Sequence, residues 1–549
     1  MDGPVSSQTG RDNGPRPEER LRAAGPAGTA AGRAGAFLAG ALLVAALIGA
    51  LTVHLAAPVL PEDDAYITYR YARNALSGEG PVYNAGERVF GISTPLYLGW
   101  LVALGRALPA ADLPELAVRS NALWFVAAAL ALAWLVATGT GSRPAGALAG
   151  ALAAASPRML EISLGGMEPF LFAALALGGL AAQASARPRL GALLVGLCAI
   201  SRPEGLLVGL VWGVGWLARQ PGRPAGRAWD WPAAALAALP LAVWCLGATL
   251  YYGTPVPHSL VAKNAPLYLI SAGVAALTYL AAFSRWSVPA PLAEASAPIA
   301  ILIALLTLVS ALWVLLRWRG ARQRALWARV ALLTSFIAIL YSTRGLRLFD
   351  WYLPLPWLLW LGFLLGAAAT LRACARWRSA WIPTALLILL AAAPTLYDLG
   401  CWALSGERLP ERTPYRTRIM AYAEAGRIAR ALAAPGDALM ASEIGALGYA
   451  YGGYVYDTAG LVSPAALAHL PIPLEERPGP LTGAVRLGFA QAYVPAFIVA
   501  MPGYLERTLA PSPWFAEHYE QAAEVALEET MEAGGTVQIW RRTAPNTDE

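Results

Sequence analysis

The chain has a single lysine, Lys263, in 549 residues, with only four cysteines, four histidines and 14% charged residues. A soluble globular protein carries about a quarter charged residues, so the shortfall excludes an ordinary water-soluble fold. Cys198, Cys245, Cys374 and Cys401 lie far apart, in or beside apolar runs, without CxxC or metal-ligand spacing. They read as small core hydrophobes, which excludes a disulfide scaffold and a cysteine metal site. Basic charge is therefore almost entirely arginine. Its net excess of +6 falls in short loops between apolar runs, where membrane orientation needs it, and not in a patch suited to nucleic acid. Hydrophobic residues make up 57% of the chain, and the class that remains is a polytopic protein whose partner is the lipid bilayer.

Two rules shape the topology: a spanning helix needs roughly 20 apolar residues, and short cytoplasmic loops collect arginine. Residues 1–35 are rich in Gly, Pro, Ala and Arg and read as a disordered cytoplasmic tail. The run Ala36 to Ala57 is too long for a signal-peptide core and is expected to remain as an anchor. Loops around Arg143, Arg187–Arg189, Arg219–Arg227, Arg317–Arg329 and Arg372–Arg378 are placed in the cytoplasm. Crossings are then expected near 36–57, 117–138, 145–160, 169–182, 190–200, 205–217, 231–250, 298–316, 330–343, 353–371 and 381–399. That makes about eleven, with the N-terminus inside and the C-terminus outside. Leu96–Leu108 and Leu267–Phe283 are expected as surface or re-entrant helices. Arg202-Pro203-Glu204-Gly205 should break two half-helices, because such a sequence in continuous hydrocarbon would cost several kcal/mol unless it lined a polar cavity.

The predicted domains are the tail, a membrane domain over 36–403 and an extracytoplasmic domain over 404–549, where charged residues return to ordinary density. Met420–Leu432 has helical spacing. Ala438–Ala441, Tyr454–Asp457, Ala496–Met501 and Thr536–Arg541 read as short strands between Gly and Pro, so a small α/β domain is expected.

Every polar break falls on the outer side of this topology. Asp63 and Asp64 follow the first crossing at the start of an amphipathic helix. They are either acidic helix-start residues or a general base and its neighbour, with a divalent cation as a further use. Glu168, in LGGMEP, is a second acid on that face, and Arg202 with Glu204 forms a third polar break. The loop YYGTPVPHSLVAKN carries His258 and Lys263; a lone lysine among arginines suits a compact charge on phosphate. Arg344 and Arg347 lie at an outer helix end, against the inside-positive bias, where an anion would explain them. Carboxylates on some helices and cations on others are what displacement of a phosphate leaving group by a hydroxyl requires. A transporter or lipid flippase is the alternative. It would need polar residues through the membrane and often two related halves, neither of which is visible. A non-catalytic membrane scaffold is the third reading.

The segments DDAYITYRYARNALSGEGPVYNAGERVFGISTPLYLGWL, LGGMEPFLF, SRPEG, YYGTPVPHSLVAK, RLFDWYLPLPW and EIGALGYAYGGYVYDTAGLVSP together resemble the GT-C superfamily of polyprenyl-phosphate-dependent glycosyltransferases. Within it they are most similar to the actinobacterial terminal arabinofuranosyltransferase-like branch. The resemblance implies a GT-C bundle and transfer of a sugar, arabinofuranose in that branch. The sugar would pass from a polyprenyl-phosphate donor to an envelope polysaccharide or glycolipid, with inversion. By the same resemblance Asp63 or Asp64 would be the base and Glu168 the second acid, these three being the candidate metal ligands. Arg202, His258, Lys263, Arg344 and Arg347 would face the donor phosphate, and Glu204, Tyr66 and Arg70 the acceptor. Glu443 and Asp457 fall in family-like segments of the tail and read equally as turn residues.

Overall fold

A computed structural model describes residues 30–217, 230–264, 270–318, 320–343, 348–374, 380–405, 414–479, 482–531 and 533–543. The first helix, α1 (Ala30–Ala56), is apolar on all sides. It leaves Phe37 80% and Leu55 61% exposed, a surface that suits hydrocarbon and not water. After Pro58 and Pro61 the chain turns into α2 (Asp63–Leu76), with both aspartates in its first turn. Then come α3 (Pro95–Ala107), α4 (Leu113–Thr140), α5 (Arg143–Ala154), α6 (Pro157–Leu164) and α7 (Pro169–Ala184), most of them opened by a proline whose missing N–H costs nothing at a first turn. Two shorter helices, α8 (Pro188–Ala199) and α9 (Gly205–Leu217), flank the Arg-Pro-Glu break. The membrane domain is completed by α10 (Trp231–Tyr252), α11 (His258–Asn264), α12 (Ala272–Ser287), α13 (Ala290–Ala295), α14 (Ala297–Trp318), α15 (Ala321–Thr343), a 3₁₀ turn at Asp350–Tyr352, α16 (Pro354–Cys374) and α17 (Trp381–Ser405).

Helix α16 is the buried axis, packed by α4, α14 and α17, with Trp357 and Trp360 almost wholly enclosed. Trp327 of α15 is enclosed as well and lies over Gly139 and Gly366, where any side chain would strike its indole; its Nε1 donates to the Gly139 carbonyl (3.1 Å).

All eleven expected crossings are helical, but among the described residues only seven helices are long and apolar enough to span a bilayer. These are α1, α4, α10, α14, α15, α16 and α17. The expected crossing at 145–160 is interrupted at Ala155–Ser156, where Pro157 ends one helix and begins the next. Helices α6 and α7 meet at 118° around Gly165–Glu168, so they form at most one broken span. The expected surface helix at 96–108 is α3, and that at 267–283 is α12, beginning at Ala272.

The C-terminal domain runs from α18 (Pro414–Leu432) through β1 (Ala438–Ala441), α19 (Ala446–Tyr451), β2 (Tyr454–Asp457), α20 (Leu487–Tyr493), β3 (Phe497–Ala500), α21 (Pro513–His518), β4 (Tyr519–Met531) and β5 (Gly534–Arg542). The sheet order is β2-β1-β3-β5-β4, with β1 parallel to β2 and β3, and β5 antiparallel to β3 and β4. The four expected strands are present. Strand β4 has no counterpart in the sequence reading. Its run of Glu, Gln and Ala carries helix propensity, yet it pairs along β5 through a bulge between Gln521 and Ala523, where sheet pairing overrides local preference.

Docking of this domain onto α2 is dense. The Asp63 carboxylate accepts the backbone N–H groups of Gly445 (3.1 Å) and Ala446 (2.9 Å), the unsatisfied donors at the start of α19. Arg70, only 2% exposed, donates to the carbonyls of Tyr83, Gly448 and Gly453 and to Asn84 Oδ1. Asn84 in turn forms a two-way bridge with the Val455 backbone of β2. Glycine is required where the helix touches: a Cβ on Gly445 would stand 1.9 Å from the Asp63 carbonyl oxygen, and one on Gly448 2.0 Å from the Tyr83 hydroxyl. Gly445→Ala is therefore expected to lift α19 off α2. Hydrogen exchange should show faster exchange at residues 444–452 and 63–73, with α4 and α16 unchanged.

Candidate active site

The loop carrying Glu168 is fixed from three sides. Tyr69 and Tyr97 both donate their hydroxyls to the Gly166 carbonyl (2.7 and 2.8 Å), and Asn121 donates to the carbonyls of Ser163 and Met167. Gly166 has φ +71° and a Cβ there would meet the Tyr69 hydroxyl at 2.1 Å, which explains the second glycine of Gly-Gly-Met-Glu. The Glu62 N–H donates to the Gly165 carbonyl (2.9 Å) and ties this loop to the Asp63–Asp64 turn. Glu168 then accepts from Arg202 Nη1 (2.7 Å), while Glu204 receives Arg202 through Nε and Nη2 (3.3 and 3.2 Å) and the Tyr341 hydroxyl (2.8 Å). The Arg202 guanidinium also lies 4.9 Å from the Tyr352 ring centre. Thus the break between α8 and α9 is satisfied by one arginine between two glutamates, all three buried.

Two cavities open from this region. The first lies among the helices and is lined by Glu168, Arg202, Glu204, Thr68, Thr94, Ser259, Tyr341 and Trp351. The second lies under the C-terminal domain and is lined by Asp63, Tyr415, Arg418, Ser442, Glu443, Thr458 and Tyr504. Their walls share Asp64, Ile67, Lys263, Tyr352 and Leu461. Asp64 and Lys263 therefore stand where the two meet. Leu461 is carried by a loop that Asp457 holds, its carboxylate accepting the N–H groups of Ala459 and Val462 (2.8 and 3.0 Å).

Burial pushes the Asp64 carboxyl above its ordinary value; Lys263 and Arg418 oppose the shift and Glu443 adds to it. Asp63 is pushed up to about 7, chiefly by burial and then by Glu443, against the N–H bond from Ala446. Glu62 is likewise raised to about 7 by burial, with Arg416 opposing.

The sequence-predicted residues separate accordingly. Asp64, Glu168, Arg202, Glu204 and Lys263 share the walls of the first cavity. Asp63 reaches the second cavity with both carboxylate oxygens engaged by α19. Tyr66, expected at the acceptor, instead faces a separate groove beside α18 and β4, because helical geometry points it away from Asp64. Arg70, also expected at the acceptor, is consumed by interdomain carbonyls. His258 lies outside both cavity walls; its N–H donates to the Phe90 carbonyl and its ring Nε2 is buried without a hydrogen-bond partner. Arg344 and Arg347 lie outside the described residues. The metal set Asp63, Asp64 and Glu168 does not form: among the described residues no three His, Cys, Asp or Glu side chains converge on an ion. Glu168 faces Arg202 and Asp63 faces backbone donors, so these three do not fit a cation. Arg418, Tyr341, Tyr352 and Tyr504 went unread in the sequence, since nothing local marks an arginine on an amphipathic helix or a lone tyrosine as wall residues.

Several solved structures resemble this fold. ArnT from Cupriavidus metallidurans bound to undecaprenyl phosphate aligns with TM-score 0.57 at 14% identity, covering 91% of this chain and 97% of that one. The Archaeoglobus fulgidus oligosaccharyltransferase in the apo form aligns with TM-score 0.54 at 11% identity, covering 92% and 74%. The same organism's oligosaccharyltransferase AglB, in complex with an inhibitory peptide and a dolichol-phosphate, aligns with TM-score 0.50 at 12% identity over 92% and 74%. These likenesses show that the chain shares the fold of those proteins, here a bundle with seven apolar helices of spanning length among the described residues and a C-terminal sheet domain. A family model described as a domain of unknown function (DUF8728) matches residues 411–540, the C-terminal domain. No curated protein sequence matches the chain.

Removing Arg202 would strand two buried carboxylates, a change that costs about 3–5 kcal/mol in comparable sites. Arg202→Met is expected to lower the thermal unfolding midpoint in detergent sharply. Arg202→Met combined with Glu168→Gln and Glu204→Gln should recover much of the loss; no recovery would refute the ion network as the cause.

Proposed function

We propose that the protein is a membrane glycosyltransferase that moves a sugar from a polyprenyl-phosphate donor to a hydroxyl of an envelope glycan or glycolipid, with Asp64 as general base. The observation that carries this reading is the placement of Asp64 beside Lys263 on the wall common to both cavities. A base there reaches an acceptor on one side and a donor on the other. Asp64 is preferred to Asp63 because Asp63 spends both oxygens on α19.

The donor occupies the cavity among the helices, where a lipid tail has hydrocarbon beside it, and the acceptor enters under the C-terminal domain. Asp64 removes the proton of the acceptor hydroxyl as that oxygen bonds to the anomeric carbon. The bond from that carbon to the phosphate oxygen breaks, and its electron pair leaves on polyprenyl phosphate, which needs no general acid. Lys263 offsets the charge gathering on the phosphate. A single displacement inverts the anomeric configuration. Glu168, with one oxygen outside its bond to Arg202, is the group proposed to hold a sugar hydroxyl, while Glu204 and Tyr341 keep Arg202 in place. Support for a lipid-linked donor comes from two structures of this fold, one bound to undecaprenyl phosphate and the other to a dolichol-phosphate. Arabinofuranose is the proposed sugar on the motif resemblance.

The proposed location is the cell membrane, with the N-terminus cytoplasmic and the C-terminal domain outside. Arg143 and Arg187 begin helices α5 and α8 at the end of the bundle opposite Glu168, as the inside-positive bias requires.

The test is transfer by the purified protein from a panel of polyprenyl-phosphate sugars. Asp64→Asn is expected to reduce kcat by about 10²- to 10⁴-fold, the worth of a positioned base; full activity in that variant would remove the assignment. Since burial raises Asp64 and Lys263 lowers it, the acid limb of the rate profile should lie above the ordinary carboxylate range. Lys263→Met should move that limb to still higher pH, because the cation that favoured the ionised form is gone.

A further inference from the structure

The cavity beneath the C-terminal domain contains a charge arrangement that the transfer chemistry does not use. Glu443, in the loop that follows β1, accepts from Arg418 of α18 (3.0 Å) and from the Tyr504 hydroxyl (3.0 Å), both through Oε1. All three side chains line the cavity wall that also holds Asp64. The second carboxylate oxygen of Glu443 is not engaged in either bond. Arg418 is half of an ion pair, and Lys263 stands against Asp64, whose ionisation it favours. Among the described residues, each cation on this wall thus faces a carboxylate. An acceptor bearing phosphate or carboxylate would meet the Glu443 and Asp64 carboxylates, and both described cations of the wall are already set against those two groups. Phe349, Tyr352 and Tyr415 stand on the same wall, each with one ring face covered, by Trp351, Arg202 and Arg418; the C–H face of a sugar ring can pack against what remains of these rings while its hydroxyls donate to fixed carboxylate oxygens.

We infer that Glu443, held by Arg418 and Tyr504, is the acceptor-positioning residue of this protein, and that the acceptor is an uncharged sugar polyol. On this inference the domain matched only as one of unknown function is the acceptor-recognition half of the site. It rests on the glycosyl-transfer reading for its kinetic arm, though its binding arm does not.

The kinetic arm measures transfer from a polyprenyl-phosphate sugar to short neutral oligosaccharides and to the same oligosaccharides carrying a uronic acid or a phosphate. Glu443→Gln is expected to raise the acceptor KM tenfold or more while kcat changes less than threefold and the donor KM stays in place. Tyr504→Phe, which removes one hydroxyl and keeps the ring, should raise acceptor KM severalfold, and the exposed Glu475→Gln should change nothing. Equal or better use of the charged acceptors, or a fall in kcat with KM constant, overturns the inference. The binding arm measures saturation-transfer NMR of a neutral oligosaccharide on the full-length protein in nanodiscs without donor. Signal in the parent protein and its loss in Glu443→Gln supports the site even if no donor is turned over; equal signal in both, or none in either, sinks it. Absence of transfer with retained oligosaccharide binding would count against the proposed reaction and not against this site.

Discussion

The hydrogen bonds from the start of α19 to the Asp63 carboxylate organise most of what surrounds them. A short helix in a small domain presents unsatisfied N–H groups, and a buried carboxylate on the membrane domain presents unsatisfied lone pairs. Each is costly alone, and together they cancel. Arg70 and Asn84 extend the same exchange to the carbonyls of Gly448, Gly453 and Val455. The interface is therefore polar yet closed, and it roofs a cavity over the bundle.

This constraint separates two adjacent aspartates that carry the same chemistry. Consecutive residues of a helix point about 100° apart. When one is turned into the interface, its neighbour is turned toward the cavities. Asp63 works as a helix cap from a distant part of the chain, and Asp64 is left with Lys263 on the shared wall. The Glu168–Arg202–Glu204 network follows a similar logic. Two backbone breaks in apolar surroundings expose polar groups, and they are tolerated because one guanidinium satisfies a carboxylate from each.

Several of these features were legible in the amino-acid order. Apolar length located the spanning helices, proline and glycine located the breaks at Gly165–Pro169 and Arg202–Gly205, and short apolar runs between Gly and Pro located four strands. Strand β4 was not legible because its pairing with β5 decides against its own composition. The expected crossings at α5, α7, α8 and α9 are helical but only 12 to 16 residues long, because apolar content is visible in sequence while helix length is set by breaks such as the 118° bend between α6 and α7. Tyr66 and Arg70 were misplaced for a related reason. Their proximity to Asp63 and Asp64 along the chain says nothing about which side of α2 the second domain will occupy.

What the sequence alone determined is the membrane class, the helix and strand inventory and the set of polar residues able to do chemistry, since each depends on local composition and spacing. Only the tertiary structure decided which of those residues meet. Asp64 and Lys263 are separated by about two hundred residues, and Glu443 by nearly two hundred more, so no local rule couples them. Their convergence depends on α2, α11 and β1 being brought to one wall by packing, and packing is a property of the whole chain.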